Sequence, residues 1–191
     1  MQEAEKSSDV QEVGTVLQVE KDIPWLPQPN EGRIILAAQL PPREEIATAF
    51  VLAFSGDRLL QTRLVKRGWD IVGGHVEEGE VPEEAVRREA YEEAGAKLGT
   101  LHLLGYQCLR LLGPRPASYK YSYPNSYQLF YWARIEALDD FIPTPETRGP
   151  ALFSPDQAQT LPWVQAHLEL YRAALALQKK EINMVVFDEC E

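Results

Sequence analysis

The sequence predicts a single mixed α/β (α+β) domain. A strongly β-patterned stretch runs from Ile46 to Leu64, with apolar runs that a sheet can bury. A helix pattern occupies Pro82 to Ala94, and a second helix pattern follows the proline-rich segment that ends at Pro155. Further strand candidates lie between the two helices. In a chain of 191 residues, this order of strands and helices indicates one sheet packed with helices.

The composition is that of an ordinary globular protein, with 45% hydrophobic and 25% charged residues. The formal net charge of -10 gives no basic footprint for a nucleic-acid polymer, so we predict no such partner. An acidic protein can still bind a small polyanion, provided that metal ions or a local basic cluster offset the repulsion.

The N-terminal residues Met1–Glu12 are polar and acidic and lack the apolar stretch of a signal peptide. No apolar run approaches the ~18 residues that a membrane span requires. The two cysteines, Cys108 and Cys190, fit neither a disulfide framework nor a metal motif. We therefore predict a cytoplasmic protein with no membrane partner. Its predicted parts are a disordered tail at 1–12, one domain at 13–180 and a C-terminal extension at 181–191.

The first half of the chain alternates turn signals with apolar runs. Three prolines around Trp25 are typical of a loop, and the sequence Ser55-Gly56-Asp57 is typical of a hairpin turn. The predicted elements are, in order, a loop over 22–30, a strand over 33–40, a hairpin of strands 49–54 and 58–64 with the three-residue loop 55–57, and a short strand over 69–72 that ends in Gly73-Gly74.

The segment Pro82–Ala94 carries the signals of a complete helix. Pro82 suits the first helical position, Glu83 and Glu84 suit the positive end of the helix dipole, and Gly95 predicts the end. The later predicted elements are strands over 101–112 and 127–138 with a tyrosine-rich loop over 118–127 between them, a long connection over 139–155, and a helix with Val164, Leu168, Tyr171 and Leu175 on one stripe and Lys179-Lys180 at its end.

Three glutamates of the first helix point to metal chemistry. Glu89, Glu92 and Glu93 have the i, i+3, i+4 spacing that places side chains on one helix face. Like charges so close together destabilise a helix unless a cation lies among them, and oxygen ligands suit Mg²⁺ or Mn²⁺. Glu80, in the preceding loop, is placed to add a fourth carboxylate. The spacing by itself is more often that of a solvated acidic helix face, with Arg87 and Arg88 as neighbours.

The complete pattern is far more specific than the glutamate spacing. It runs as Gly74, five residues, Glu80, seven residues, then Arg88-Glu89-Ala90-Tyr91-Glu92-Glu93-Ala94-Gly95-Ala96. This resembles the Nudix box, GX5EX7REUXEEXGU with U aliphatic, and fills all nine specified positions when Ala90 and Ala96 count as small aliphatic residues. The order of strand, Gly-Gly, helix and Gly extends the resemblance to about residues 45–178. Val72 and Val81 depart from the proline and the Ser or Thr of many relatives.

The resemblance implies a Nudix α/β/α sandwich with a mixed β-sheet between helices, and an enzyme that hydrolyses a nucleoside diphosphate derivative with Mg²⁺ or, in its place, Mn²⁺. The implied metal ligands are Glu89, Glu92, Glu93, Glu80 as an auxiliary and the carbonyl of Gly73. Arg88 is expected to orient the catalytic glutamate, and Glu89 or Glu92 is expected to act as general base. A homodimer is common in the family and is expected here only on that ground.

Residues for the substrate are predicted beside the box. Arg63 and Arg67 flank the end of a strand that leads to the double glycine. They could contact a phosphate, or they could be solvent-facing charges at a sheet edge, and the sequence favours neither interpretation. Gly74 and His75 lie where the backbone could approach the phosphates. The tyrosine-rich loop could stack on a base, line a dimer interface or cover the sheet.

Two other functions fit the same fold. A nucleotide sensor would bind without turnover, but such proteins usually lose box carboxylates, and all four are kept here. A protein-interaction or dimerisation module has faint support from the long flanks. The same fold also occurs in isopentenyl diphosphate isomerases, but this chain has no cysteine in the position that their acid–base chemistry requires.

Overall fold

The computed structural model describes residues 14–188, with side chains up to residue 181. Its strands are β1 (Thr15–Lys21), β2 (Asn30–Leu36), β3 (Ile46–Ser55), β4 (Arg58–Leu64), β5 (Gly68–Asp70), β6 (Val72–His75), β7 (Ala96–Leu98), β8 (His102–Leu111), β9 (Asn125–Leu138) and β10 (Thr147–Phe153). Its helices are α1 (Pro82–Ala94), α2 (Pro155–Ala158), α3 (Pro162–Ala166) and α4 (Leu168–Asp188), and a 3-10 turn spans Arg43–Glu45.

The described strands form one mixed sheet. Its main path runs β1-β2-β8-β9-β3-β4-β10, with β5 beside β4, β6 beside β3 and β7 beside β9. The central strands β3 and β9 are parallel, and the other pairs are antiparallel. The predicted mixed sheet with helices is therefore confirmed.

Helices cover both faces of the sheet because the central strands bury alternating side chains. On β3, Ala49 and Val51 pack in the cluster that contains Val86 of α1. Leu52 and Phe54 point the other way, into the cluster that contains α2, α3 and α4. A strand buried on both faces reads as a continuous apolar run, which explains the sequence of β3. The layers are helix, sheet and helix.

Helix α1 has the predicted bounds. Pro82 occupies its first turn. Val81 has no side-chain acceptor with which to cap the helix. The start is instead stabilised by the Glu84 carboxylate, which accepts a hydrogen bond from the Val81 N–H at 3.1 Å. Gly95 ends the helix in a left-handed conformation at φ +64°.

Two predictions around the β3–β4 hairpin need correction. Ser55 pairs directly with Arg58, so the turn has two residues, Gly56 and Asp57, rather than three. The double glycine was expected after a strand, but Gly73 and Gly74 lie inside β6 and pair with Phe50 and Ala49 of β3. The glycines adopt strand geometry because their backbone pairs with that of β3.

The predicted long connection over 139–155 was partly wrong, because it contains the edge strand β10. Pro150 lies in β10, where an edge position tolerates the missing N–H. β1 was not predicted either. The final helix is divided, since His167 leaves helical geometry between α3 and α4, and α4 continues past Lys179-Lys180 to Asp188.

Some predictions concern other parts or properties of the protein. The predicted tail at 1–12 falls outside the described residues. The domain boundaries, the homodimer and the cytoplasmic location stay predictions. Among the helices of residues 14–188, none is long and apolar enough to cross a membrane.

Candidate active site

The double glycine of β6 lies directly under the acidic face of α1. The N–H of Gly73 donates to Glu93 Oε2 at 3.4 Å. A methyl group on Gly74 would overlap the Glu89 carboxylate, and one on Gly73 would overlap the carbonyl of Ala49. Gly73 also has φ +148°, which disfavours other residues. The two glycines thus let two helix carboxylates contact the sheet backbone.

Arg88 holds the loop before α1 against the helix. Its guanidinium pairs with both Glu80 oxygens at 3.0 Å, with Glu89 Oε1 at 2.8 Å and with the carbonyl of His75 at 3.0 Å. The hydrogen bonding between Arg88 and Glu80 lowers the pKa of the Glu80 carboxyl and raises the pKa of the Arg88 guanidinium. Glu92 lies further from Arg88, at 3.7 Å, and its side chain is 61% exposed. Glu80 and Glu89 are therefore fixed, whereas Glu92 is open to solvent.

Glu93 is the most perturbed carboxyl group of this helix face. Burial raises the pKa of Glu93 to about 7, and the neighbouring charges of Glu89 and Asp70 add to the rise. Burial also raises the pKa of Asp70, although Arg67 opposes this from 3.5 Å. Asp70 is a carboxylate of this site that the sequence reasoning missed, because it lies outside the box.

A cleft of about 310 Å³ opens between the acidic helix face and the segment before β10. Glu89, Glu92 and Glu93 line one side, and residues 144–147 line the other. This places Glu146 opposite the box glutamates. Nothing in the sequence marked Glu146, because the segment reads as proline-rich loop.

The donor chemistry of the site fits a hard divalent cation. Carboxylates and the Gly73 carbonyl offer only oxygen, and the pKa of Glu93 is raised partly by like charges that a cation would offset. Within the described residues, however, no three His, Cys, Asp or Glu side chains are gathered closely enough to hold a metal. Arg88 accounts for this, since it pairs with Glu89 and approaches Glu92. Coordination by these residues stays a prediction.

Two adjoining cavities lie on the sheet face that carries α3. The larger has a volume of about 890 Å³ and the smaller about 200 Å³. Trp25, Phe50, Arg67 and Gln128 line both, so the two cavities are direct neighbours. The smaller cavity reaches Gly73 and Gly74, the two glycines that contact the carboxylates of α1.

The residues predicted for the substrate are only partly brought together. Arg67, Gly74 and His75 line the smaller cavity. Arg63 is exposed on β4 and lines neither cavity. His75 Nε2 lies 2.8 Å from the Tyr121 hydroxyl, and the rings stack with centroids 5.9 Å apart. The tyrosine-rich loop thus borders the cavity mouth.

A model of the NUDIX domain matches residues 42–174, which is more than half of the chain. The chain belongs to the Nudix family. Relatives of this Nudix protein include YtkD of Bacillus subtilis (strain 168), whose name proposes an 8-oxo-dGTP diphosphatase, at 36% identity over 104 residues. A MutT-like protein of Streptomyces ambofaciens is 34% identical over 82 residues.

The matches to these Nudix relatives are partial. They cover 54% and 42% of this chain, and 60% and 49% of YtkD and the Streptomyces protein, which is less than two-thirds of either. Among solved structures, the pyrophosphohydrolase BsRppH of Bacillus subtilis superposes with a TM-score of 0.58 at 27% identity. That superposition covers 76% of this chain and 84% of BsRppH.

Proposed function

We propose that this Nudix protein hydrolyses a diphosphate linkage in a nucleoside diphosphate derivative, by attack of water at phosphorus, with Mg²⁺ as the divalent ion. Mn²⁺ is the expected substitute. The observation that supports this most directly is the contact of Glu89 and Glu93 with the double glycine. The double glycine lines the cavity of about 200 Å³ that adjoins the one of about 890 Å³, and the larger volume lies in the range of small-molecule sites.

The metal site would be formed by Glu93, Glu89 and the Gly73 carbonyl, with Glu92 as a further ligand and Glu80 as an auxiliary one. A divalent ion bound there neutralises the diphosphate and lowers the pKa of a bound water. Glu93 is half-buried and accepts a hydrogen bond from the Gly73 N–H, so it supplies a ligand in a fixed position. Glu92 is exposed and free to turn towards a cation or a water.

Arg88 is a positioning residue in this proposal. Its pairing with Glu80 and Glu89 fixes one carboxylate from the loop and one from the helix in a single arrangement. Because its guanidinium stays charged at every working pH, the arrangement persists across the pH range of the reaction.

The general base is expected among carboxylates that water can reach. Glu89 and Glu92 both belong to the box, and Glu92 is the more exposed of the two. Glu146 lines the same cleft from the opposite side and is a further candidate. Comparison of kcat for Glu92→Gln and Glu146→Gln at saturating Mg²⁺ assigns the role to the variant with the larger loss.

Nucleoside triphosphates, oxidised nucleotides and nucleotide sugars such as ADP-ribose are the substrate classes to test. The name of YtkD favours the first two. Arg67 at the cavity rim is the cation best placed to meet a phosphate, because it lines both cavities.

The decisive experiment incubates the purified full chain with Mg²⁺ and these compounds, and measures released phosphate, diphosphate and nucleoside monophosphate. Glu93→Gln should lower kcat by several orders of magnitude, since it removes a buried charge at the proposed metal site. Glu169→Gln, an exposed glutamate of α4 that pairs with Arg172, is the matched control and should retain full activity. Turnover of none of the compounds, together with tight binding of one, would replace this proposal with a nucleotide sensor.

A further inference from the structure

Three polar side chains form a row across the sheet floor of the two cavities. Thr48 of β3 pairs in register with Gln128 of β9, and Gln128 pairs with Gln107 of β8. Residues paired in register point to the same face, so the three side chains lie side by side. Thr48, Gln128 and Gln107, named the polar row below, line the adjoining cavities.

Thr48 and Gln107 of the polar row are buried, and Gln128 is half-buried. Gln107 is 4% exposed and Thr48 is 7% exposed. The Thr48 hydroxyl has no hydrogen-bond partner, and within the described residues neither glutamine side chain bonds to the protein. Buried amides and hydroxyls are nearly always hydrogen-bonded, because leaving them unpaired is costly. The row therefore presents donors and acceptors that are free to bind a ligand in the cavity.

Aromatic side chains surround the polar row. Phe50 and Phe130 flank it on the same face, with ring centroids 6.0 Å apart, and Trp163 lies 6.2 Å from Phe130. Trp25 lines both cavities and is 64% exposed, which is high for a side chain of this size. Aromatic walls suit the faces of a flat ring, and a polar floor suits its hydrogen-bonding edge.

We propose that the polar row binds the hydrogen-bonding edge of the substrate's nucleobase, and that Gln107 and Gln128 set the base preference. This rests on the proposed function, because it concerns the end of the substrate remote from the diphosphate. A glutamine amide offers a donor and an acceptor side by side, which matches adjacent acceptor and donor atoms on a base edge. Thr48 and Gln128 line the smaller cavity together with Gly74, so the polar row and the first glycine of the box border the same space.

The catalytic test compares nucleoside triphosphates of the four common bases with 5-phosphoribosyl diphosphate, which has no base. Gln107→Leu keeps the side-chain volume and removes the amide. It should lower kcat/KM for the preferred nucleotide about 10- to 100-fold and leave the base-free compound within about twofold. Gln107→Glu should change the order of preference, since it replaces a donor with an acceptor. Gln165→Leu, exposed on α3, is the matched control and should leave the profile unchanged.

A binding test keeps this inference separate from the hydrolase proposal. Calorimetry with the four nucleoside monophosphates and ribose 5-phosphate should show that affinity depends on the base. Gln107→Leu should weaken binding of the monophosphate with the preferred base at least tenfold and leave the other affinities unchanged. Such binding without hydrolysis of any compound supports the polar row and overturns the proposed function. Hydrolysis with no base preference leaves the function standing and overturns the inference. An equal loss for base-free and base-bearing compounds also overturns it, because that outcome indicates a structural role.

Discussion

At the level of single residues, Gly74 determines how closely Glu89 can approach the sheet. Its backbone needs no unusual φ, but an added methyl group would overlap the Glu89 carboxylate. Gly74→Ala should therefore displace Glu89 and lower kcat roughly a hundredfold, because small misplacements of reacting groups are costly. The measurement is steady-state kinetics together with a melting curve.

Gly99→Ala is the matched control for this substitution. The methyl group there would lie 3.1 Å from the flexible end of Glu136 and 3.6 Å from the carbonyl oxygen of Arg134, and none of its three nearest atoms belongs to the box. We expect both variants to melt near the wild-type temperature. Equal activity of Gly74→Ala and wild type would show that the contact with Glu89 does not matter for catalysis.

The raised pKa of Glu93 predicts that the stability of the metal-free protein falls as the pH rises. The pKa of its carboxyl is raised from 4.5 to about 7 by burial. Between these values the folded state keeps a proton that the unfolded state has released, so rising pH favours unfolding. In EDTA, wild type should lose stability from pH 5 to pH 8 more steeply than Glu93→Gln. Urea unfolding at both pH values checks this, and parallel profiles would contradict it.

At the level of elements, Gly95 fixes where α1 ends. It has φ +64°, and a methyl group would lie 2.7 Å from the carbonyl oxygen of Asp139. Gly95→Ala should cost about 1–2 kcal/mol for the backbone conformation, plus the cost of relieving that contact. Gly56→Ala isolates the first effect, since Gly56 has φ +57° and no atom within 4 Å of the added methyl group. Urea unfolding should show Gly95→Ala as the less stable of the two.

Elements with strong local signals were predictable, and elements formed by distant partners were not. Helix α1 has its proline, its acidic first turn and its terminal glycine in the sequence, and its bounds agree. β10 exists because β4 offers a free edge, which overrides the breaking signals of Gly149 and Pro150. The break at His167, where φ is -128° and ψ is 39°, has no counterpart in the sequence, because the apolar stripe runs on through it.

The same distinction applies to the candidate site. The box residues were predictable because their spacing is local, and the structure gathers Glu80, Arg88 and Glu89 into one network. Asp70, Glu146 and the polar row have no local signature, because each depends on which strands become neighbours. Their positions follow from the sheet order rather than from any short pattern.

At the level of the whole molecule, the sheet separates α1 from the core under α4. Leu170 of α4 is 1% exposed in the cluster on the opposite face from α1. Leu170→Ala should cost about 2–5 kcal/mol of stability, while kcat per folded molecule should change less than about twofold because the box is on the other face. Leu177→Ala, at a position that is 41% exposed on the same helix, should cost much less. A large fall in kcat for Leu170→Ala would show that the two faces are coupled.

The parallel pairing of β3 with β9 has a consequence for the order in which the protein can be made. Ala49 pairs with Leu129, which leaves the ribosome 80 residues later. The growing chain therefore carries the apolar strand β3, and then the complete acidic helix, before the central partner of β3 exists. During that interval β3 is an open edge that neighbouring chains can pair with. Distant pairing of this kind also slows folding, so we expect nascent chains that stall before β9 to aggregate more readily than the complete chain.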